Sequence, residues 1–364
     1  MNISDLLKTM VDKDASDVHL KVGSAPIYRI SKRLILQDKY GKFTKEDMEN
    51  MIREITNESQ RHEFDENNEI DYAYFAEGIG RFRVNIFRQR GESGIVMRRI
   101  KEKIPTFKEL ALPPIFETIS MFERGIILVT GASSSGKSTT LASTIDYINT
   151  NKNKHIMTLE NPIEYIHSDK KSVINQREIG VDTESFHAAL KHIMRQDPDI
   201  IAIGEMRDAE SVMTSISAAE SGHLVLSSFH AEDTMQAITR ILDFFPHNEK
   251  EQIRMQLANN LKAVTCQRLL KKHGGEEEGL IPAVEVLIVT PIASKLIREN
   301  KIKDIGKVLQ HGEEGMRTFN MALAELYKKN LVTKEEALSK SSNPEALKIN
   351  LKGIFLDEDK GILG

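Results

Sequence analysis

At 364 residues the chain exceeds one ordinary domain of about 150, so about two domains are expected. Hydrophobic residues make up 40% and charged residues 29%, and a net charge of −4 excludes a whole-chain basic field for nucleic acid. A single cysteine, Cys266, excludes an intrachain disulfide framework or four-cysteine zinc site, and no apolar run approaches the ~20 residues that span a bilayer.

The start, MNISDLLKTMVDKDASD, is too acidic and too poor in apolar residues for a signal peptide, and Met1–Val11 reads as a short amphipathic helix. Val18–Val22 and Tyr28–Ile30 read as strands broken by Gly23 and Pro26, and Thr44–Ile55 as a helix with Thr44 and Asp47 as a capping pair. Tyr72–Phe75 and Arg81–Arg90 form a hairpin around Gly78-Ile79-Gly80, and Ile95–Ile100 adds another strand. A linker carrying Pro105, Pro113 and Pro114 follows. Beyond it, the apolar runs Ile126–Val129, His155–Leu159, Ile200–Ile203 and Leu224–Leu226 alternate with helical stretches such as Asp208–Ser221, the pattern of a mostly parallel α/β sheet. From Thr290 onward the chain reads as helices only, around 293–300, 318–329, 334–339 and 344–351, with frayed residues from Leu356.

Gly131-Ala132-Ser133-Ser134-Ser135-Gly136-Lys137-Ser138 fits G-x-x-x-x-G-K-[ST], after an apolar strand and before a helix. Its glycines let successive N–H groups curl around one anion, and the helix N-terminus adds positive potential. Lys137 is placed to reach the β- and γ-phosphates and Ser138 to ligate Mg²⁺; with Thr139, these nine residues are the candidate nucleotide cradle. A bound nucleotide still needs a carboxylate for hydrolysis. Glu205 ends the run Ile200–Gly204, at the strand end where ligands of open α/β sheets bind, while Asp208 suits the cap of the next helix. Glu160 and Glu164 flank a proline turn after another strand, either in the same crevice or as a solvated turn. His223 and His230 bracket Leu224–Ser228, as site residues or as ordinary ones.

From Gly80 to Arg99 the chain carries six arginines against one glutamate. Period two puts Phe82, Val84 and Ile86 on one face and Arg81, Arg83 and Asn85 on the other. Three readings stay open: a face that closes over the nucleotide, a nucleic-acid-binding strand, or a charged edge.

Taken together, these residues resemble a known family. The P-loop, Glu160–Tyr165, Arg195–Asp199 followed by Gly204–Asp208, and Gly222–His230 occur in order, like the Walker A, Asp box, Walker B and His box of the bacterial secretion ATPase superfamily. Gly78–Asn85, Ala15–Leu20 and Phe244-Phe245-Pro246 narrow the resemblance to the type IV pilus retraction (twitching motility) ATPases, the PilT/PilU family, from Leu6 to about Lys348. The resemblance implies an α/β protein: a PAS-like α+β domain at 1–100, a hinge at 101–114, a RecA-like ATPase core at 115–290 and a helical C-terminal region at 291–364. It also implies a homohexamer using ATP and Mg²⁺. The expected location is cytoplasmic, at the inner face of the cytoplasmic membrane, against an inner-membrane pilus platform protein and beside a second retraction ATPase. Neither nucleic acid nor a membrane span is expected.

By the same resemblance Glu164 is the catalytic glutamate, Glu205 the Walker B glutamate, and His230 a γ-phosphate contact supported by His223. Arg81 and Arg83 approach the phosphates, and the resemblance moves the arginine strand to the closure reading. Arg240 acts across a subunit interface, and Ser138, Glu160, Glu164 and Glu205 are the expected Mg²⁺ neighbours. Three departures stand out. Ser134 replaces the inner P-loop glycine, Asn161 replaces an aspartate, and Ser294-Lys295 replaces the Arg-Asn of a segment tied to retraction, which points toward a PilU-like accessory motor. Pilus assembly and type II secretion ATPases are the nearest alternative, although these usually carry a tetracysteine zinc module. A RecA-like nucleic-acid translocase is the alternative from another class.

Overall fold

The computed structural model describes residues 2–30, 33–100, 103–274 and 279–351. It divides into two compact units, Met1–Lys103 with Pro162–Ile166, and Ile104–Asn161 with His167–Gly364.

The first unit contains α1 (Ile3–Asp12), β1 (Asp17–Lys21), β2 (Ile27–Ile30), β3 (Arg33–Leu36), α2 (Lys45–Ile55), α3 (Glu58–Asn67), β4 (Glu69–Ala76), β5 (Gly80–Gln89) and β6 (Glu92–Arg99). Its antiparallel sheet has the order β3-β2-β1-β6-β5-β4. Helix α1 starts where Asn2 accepts a hydrogen bond from the Ser4 N–H, and it buries Ile3, Leu6, Leu7 and Met10, the face a 3.6-residue period presents. The expected Thr44–Asp47 pair forms a reciprocal capping box on α2, whose Met48, Met51, Ile52 and Ile55 face the same core. Tyr28 and Tyr72 are buried but keep their hydroxyls satisfied, donating to Leu6 O at 2.9 Å and Ile55 O at 2.8 Å. Strand β3 and helix α3 have no counterpart in the sequence reading. Strand β3 is exposed throughout, and α3 buries only Phe64, so neither carries an apolar period.

The second unit contains α4 (Ile115–Ser120), β7 (Gly125–Gly131), α5 (Lys137–Asn151), β8 (His155–Glu160), β9 (Val173–Glu178), α6 (Phe186–Ile193), β10 (Ile200–Glu205), α7 (Ala209–Glu220) and β11 (Leu224–Phe229). It continues with α8 (Thr234–Asp243), α9 (Lys250–Asn260), β12 (Leu261–Lys271), β13 (Leu280–Ile288), α10 (Pro291–Arg298), α11 (Ile305–His311), α12 (Phe319–Lys328), α13 (Lys334–Lys340) and α14 (Pro344–Leu351). The sheet order is β13-β12-β7-β11-β10-β8-β9, parallel except for the β12–β13 pair. Strand β7 is buried at every position, and each of Ile126, Ile127, Leu128 and Val129 contributes about 1.5–3 kcal/mol by leaving water. Helices α12 to α14 pack against Cys266, Leu270, Ile281 and Ala283 of the β12–β13 hairpin. Burial pushes the Cys266 thiol up to about 12, so it stays protonated and inert.

Of the expected linker, Ile104–Pro114 lies in the second unit, where Phe107 and Leu112 join the core and Phe107 stacks on Tyr147 at 5.1 Å. Lys101 and Glu102, and the frayed stretch from Leu356, lie outside the described residues.

Candidate active site

Strand β7 delivers the chain to Gly131, and α5 takes it up at Lys137. Gly131 has φ +148°, and a Cβ there would lie 2.4 Å from Ser135 Oγ and 2.7 Å from Gln267 O, so only glycine fits. Gly136, at φ +90°, is similarly hemmed in by the Gln267 amide. Between them Ser134 takes φ +60°, the left-handed region, at the position where the resemblance expects glycine. An L-residue bears about 1–2 kcal/mol there, so the loop keeps its curl at the expense of local strain. The Lys137 ammonium is buried and donates to Gly131 O at 3.0 Å and Ala132 O at 2.9 Å. Ser138 and Thr139 are half-buried in the first turn of α5, which holds no acidic residue to compete with an anion.

The sheet register gathers the other groups. Thr130 pairs with Phe229, Ser228 with Glu205, and Ile203 with Leu159. Gly131, His230, Glu205 and Glu160 therefore emerge from the C-terminal ends of four adjacent parallel strands, the edge where α/β sheets bind ligands. Glu205 is mostly buried; its Oε1 lies 2.8 Å from His230 Nε2, and its Oε2 accepts from Arg207 Nε at 2.7 Å. Asp208, not Glu205, caps α7, accepting from the Ser211 N–H at 2.8 Å. Arg240 on α8 donates to His230 O at 2.8 Å. Glu205, Arg207, His230 and Arg240 line a cavity of about 580 Å³ walled by Phe229 and Phe244. Glu160 is held at the neighbouring strand end by Thr158 Oγ1 at 2.7 Å and Gln176 Nε2 at 3.1 Å.

His223, expected to support the γ-phosphate contact, lies apart from this group. It precedes β11 whereas His230 follows it, so six residues at about 3.3 Å put roughly 20 Å between them. Its Nδ1 sits 3.0 Å from Ala218 O and 3.2 Å from Ser221 Oγ, fastening the turn after α7.

In the first unit, β5 alternates as expected. Phe82, Val84 and Ile86 are buried, Arg83 is exposed, and Arg81 is half-buried. The Arg83 guanidinium grips both Asp71 oxygens, with Nε 3.0 Å from each. Glu164 belongs to this unit through Pro162–Ile166, and with Arg83, Arg98 and Arg99 it lines a cavity of about 250 Å³. Arg207, Thr158, Gln176 and Gln267 were not singled out from the sequence. Arg207 adjoins Glu205 within the Walker B stretch and Thr158 lies two residues before Glu160 on β8, but Gln176 and Gln267 reach the site only through the fold.

Residues 2–339 match the model of the family described as Type II/IV secretion system protein. The type IV pilus ATPase PilU of Pseudomonas aeruginosa is 40% identical over 353 residues, 97% of this chain and 92% of that protein. The PilT retraction ATPase of the same organism is 41% identical over 349 residues, 95% of this chain and 99% of that one. A crystal structure of the pilus retraction motor PilT and bound ADP superposes with a TM-score of 0.90 at 41% identity, covering 96% of this chain and 99% of that one. With these matches spanning both units and the P-loop, the chain belongs to the type II/IV secretion system protein family, within its PilT/PilU group of pilus ATPases.

Proposed function

We propose that this chain is a ring-forming motor ATPase whose hydrolysis of ATP powers retraction of a type IV pilus. The observation that carries this reading is the meeting of a P-loop with the Glu205–His230 pair on one sheet edge, with Arg240 of α8 hydrogen-bonded to His230 O beside them. It stands in a chain similar to PilT and PilU along nearly its whole length.

The N–H groups of the loop and the α5 N-terminus hold the phosphates, and Lys137 turns from its carbonyl partners to the β- and γ-oxygens. Glu205, oriented by His230 and Arg207, positions the attacking water and takes up its proton. His230 faces the phosphoryl group as charge develops on it, and Arg240 supplies positive charge across the subunit interface. Glu164 acts as a second catalytic carboxylate, and Arg81 and Arg83 bring positive charge to the phosphates in the assembled enzyme. The hydroxyl of Ser138 with the carboxylates of Glu160 and Glu205 suits Mg²⁺, which needs only a few protein oxygens beside phosphate and water. When bound, Mg²⁺ supplies neutralising charge on the phosphate oxygens. The domains at 1–100 and 115–290 with their intervening hinge, the homohexamer, the platform-protein partner and a place at the inner face of the cytoplasmic membrane complete the proposal. Among the described residues no helix is long and apolar enough to cross a membrane.

An accessory role beside a second motor is favoured by one segment. On α10, Ser294 donates to Ala258 O at 2.6 Å and Lys295 is exposed, where the resemblance expects Arg and Asn. The test is retraction in a strain stripped of its own retraction motors, given this gene alone and then with a second motor gene. Retraction alone identifies a primary motor, and retraction only beside the second gene an accessory one. Failure in both settings contradicts the proposal.

A further inference from the structure

We propose that Gln267 is a positioning residue for the phosphate cradle, aiming the Gly136 N–H by pinning the peptide that carries it. Gln267 lies on β12, where it is the last residue paired with β7, opposite Gly131. The residue is 1% exposed, and its side-chain amide reaches both the loop and α5. Nε2 donates to Ser135 O at 2.6 Å, and Oε1 accepts from Thr140 Oγ1 at 3.0 Å. The Ser135 carbonyl can only accept, so this pairing fixes which end of the amide points at the loop.

In a planar trans peptide, C=O and N–H point in opposite directions. Drawing the Ser135 carbonyl down onto Gln267 therefore turns the Gly136 N–H up, away from the sheet and toward the phosphate side. The same amide holds Thr140 in the first turn of α5, so loop and helix start share one brace. The surroundings leave it little freedom, because a Cβ on Gly136 would lie 3.0 Å from Nε2 and one on Gly131 2.7 Å from Gln267 O. The loop also contains the left-handed Ser134, so an external anchor offsets a local tendency to relax.

No other side chain can replace this arrangement simply. Methionine matches the length but makes neither bond. Glutamate keeps the acceptor for Thr140 but sets a carboxylate against the Ser135 carbonyl. Thr140→Val breaks only the helix-side bond and leaves the Ser135 carbonyl pinned.

The inference rests on the nucleotide reading above, and the experiment separates the two. ADP affinity is measured by fluorescence titration for the wild-type chain and for Gln267→Met, Gln267→Glu and Thr140→Val, with thermal unfolding of each nucleotide-free protein alongside. The proposal expects Gln267→Met and Gln267→Glu to weaken ADP binding by about ten- to a hundredfold in protein that remains folded, with Thr140→Val within about threefold. ATP turnover should follow as a raised KM with kcat altered less. ADP affinity within about twofold of wild type in whichever folded Gln267 variant is obtained would overturn it. A loss from Thr140→Val as large as from Gln267→Met would overturn it too, because general packing would then explain both. If the wild-type chain does not bind ADP, the nucleotide reading itself fails.

Discussion

Replacing Glu285 with alanine removes the one acceptor on which two helix starts converge. Its Oε1 takes the Thr234 N–H and hydroxyl, each at 2.9 Å, and its Oε2 takes the Phe319 N–H at 3.3 Å. Thr234 opens α8 and Phe319 opens α12, and both residues are buried, so water does not readily replace the carboxylate. Two buried main-chain donors left unpaired, each at a mid-range cost of about 1.5–2 kcal/mol, give a loss of about 3–4 kcal/mol. In a unit of this size that lowers the melting temperature by about 6–15 °C. Glu285→Gln keeps an acceptor for Thr234 but turns an N–H₂ toward the Phe319 N–H, and should lose about 1–2 kcal/mol. Because α8 also carries Arg240, Glu285→Ala should slow ATP turnover, even though Glu285 touches no nucleotide group. Burial first, with Asp233 adding to it, raises the Glu285 carboxyl above the ordinary carboxylate range. The native state then keeps a proton that the unfolded chain has released, so the contribution of Glu285 falls as pH rises from about 4.3 through its native value. Urea titrations across that window should show the slope in wild type and a flatter one in Glu285→Gln. A Glu285→Ala protein melting within about 2 °C of wild type would refute the convergence as a stabilising feature.

Two further expectations concern the site. His230→Ala should lower kcat by about a hundredfold or more, while His223→Ala, at the far end of β11, should leave it within about twofold; steady-state ATPase assays decide, and equal losses would contradict the placement of His223. Ser134→Gly relieves the left-handed strain and should leave turnover within about twofold, whereas Ser134→Val puts a β-branched residue at φ +60° and should weaken nucleotide affinity about tenfold or more. Binding titrations check both, and an unaffected Ser134→Val would mean the loop does not need that conformation.

The parts that were legible in the sequence are those encoded locally. A strand, a glycine-bounded loop and a helix start lie within about fifteen residues, and the arginine alternation of β5 needs only the period of a strand. The Thr44–Asp47 box and Asp208 as a helix cap are likewise local chemistry. Other features depend on what the fold brings near. Strand β9 mixes polar and apolar residues without a clean period because it closes the sheet edge beside β8. Gln267 lies 132 residues beyond the carbonyl it holds, in a strand that no motif marks. His223 was drawn toward the site by its nearness to His230 along the chain, but a strand between two residues separates them by its length. From the residues alone a solvated turn is the default reading of Glu160; the register, which local sequence does not encode, sets it beside the strand end that carries Glu205, since Leu159 pairs with Ile203, two residues before Glu205.

ATP turnover by the purified chain, compared with Lys137→Ala and Glu205→Gln, tests the central claim most directly. The wild-type protein should hydrolyse ATP, Lys137→Ala should lose both tight nucleotide binding and turnover, and Glu205→Gln should lose about a hundredfold or more in kcat while ADP affinity stays within about threefold. Hydrolysis at the wild-type rate in either variant would place the chemistry elsewhere in the molecule.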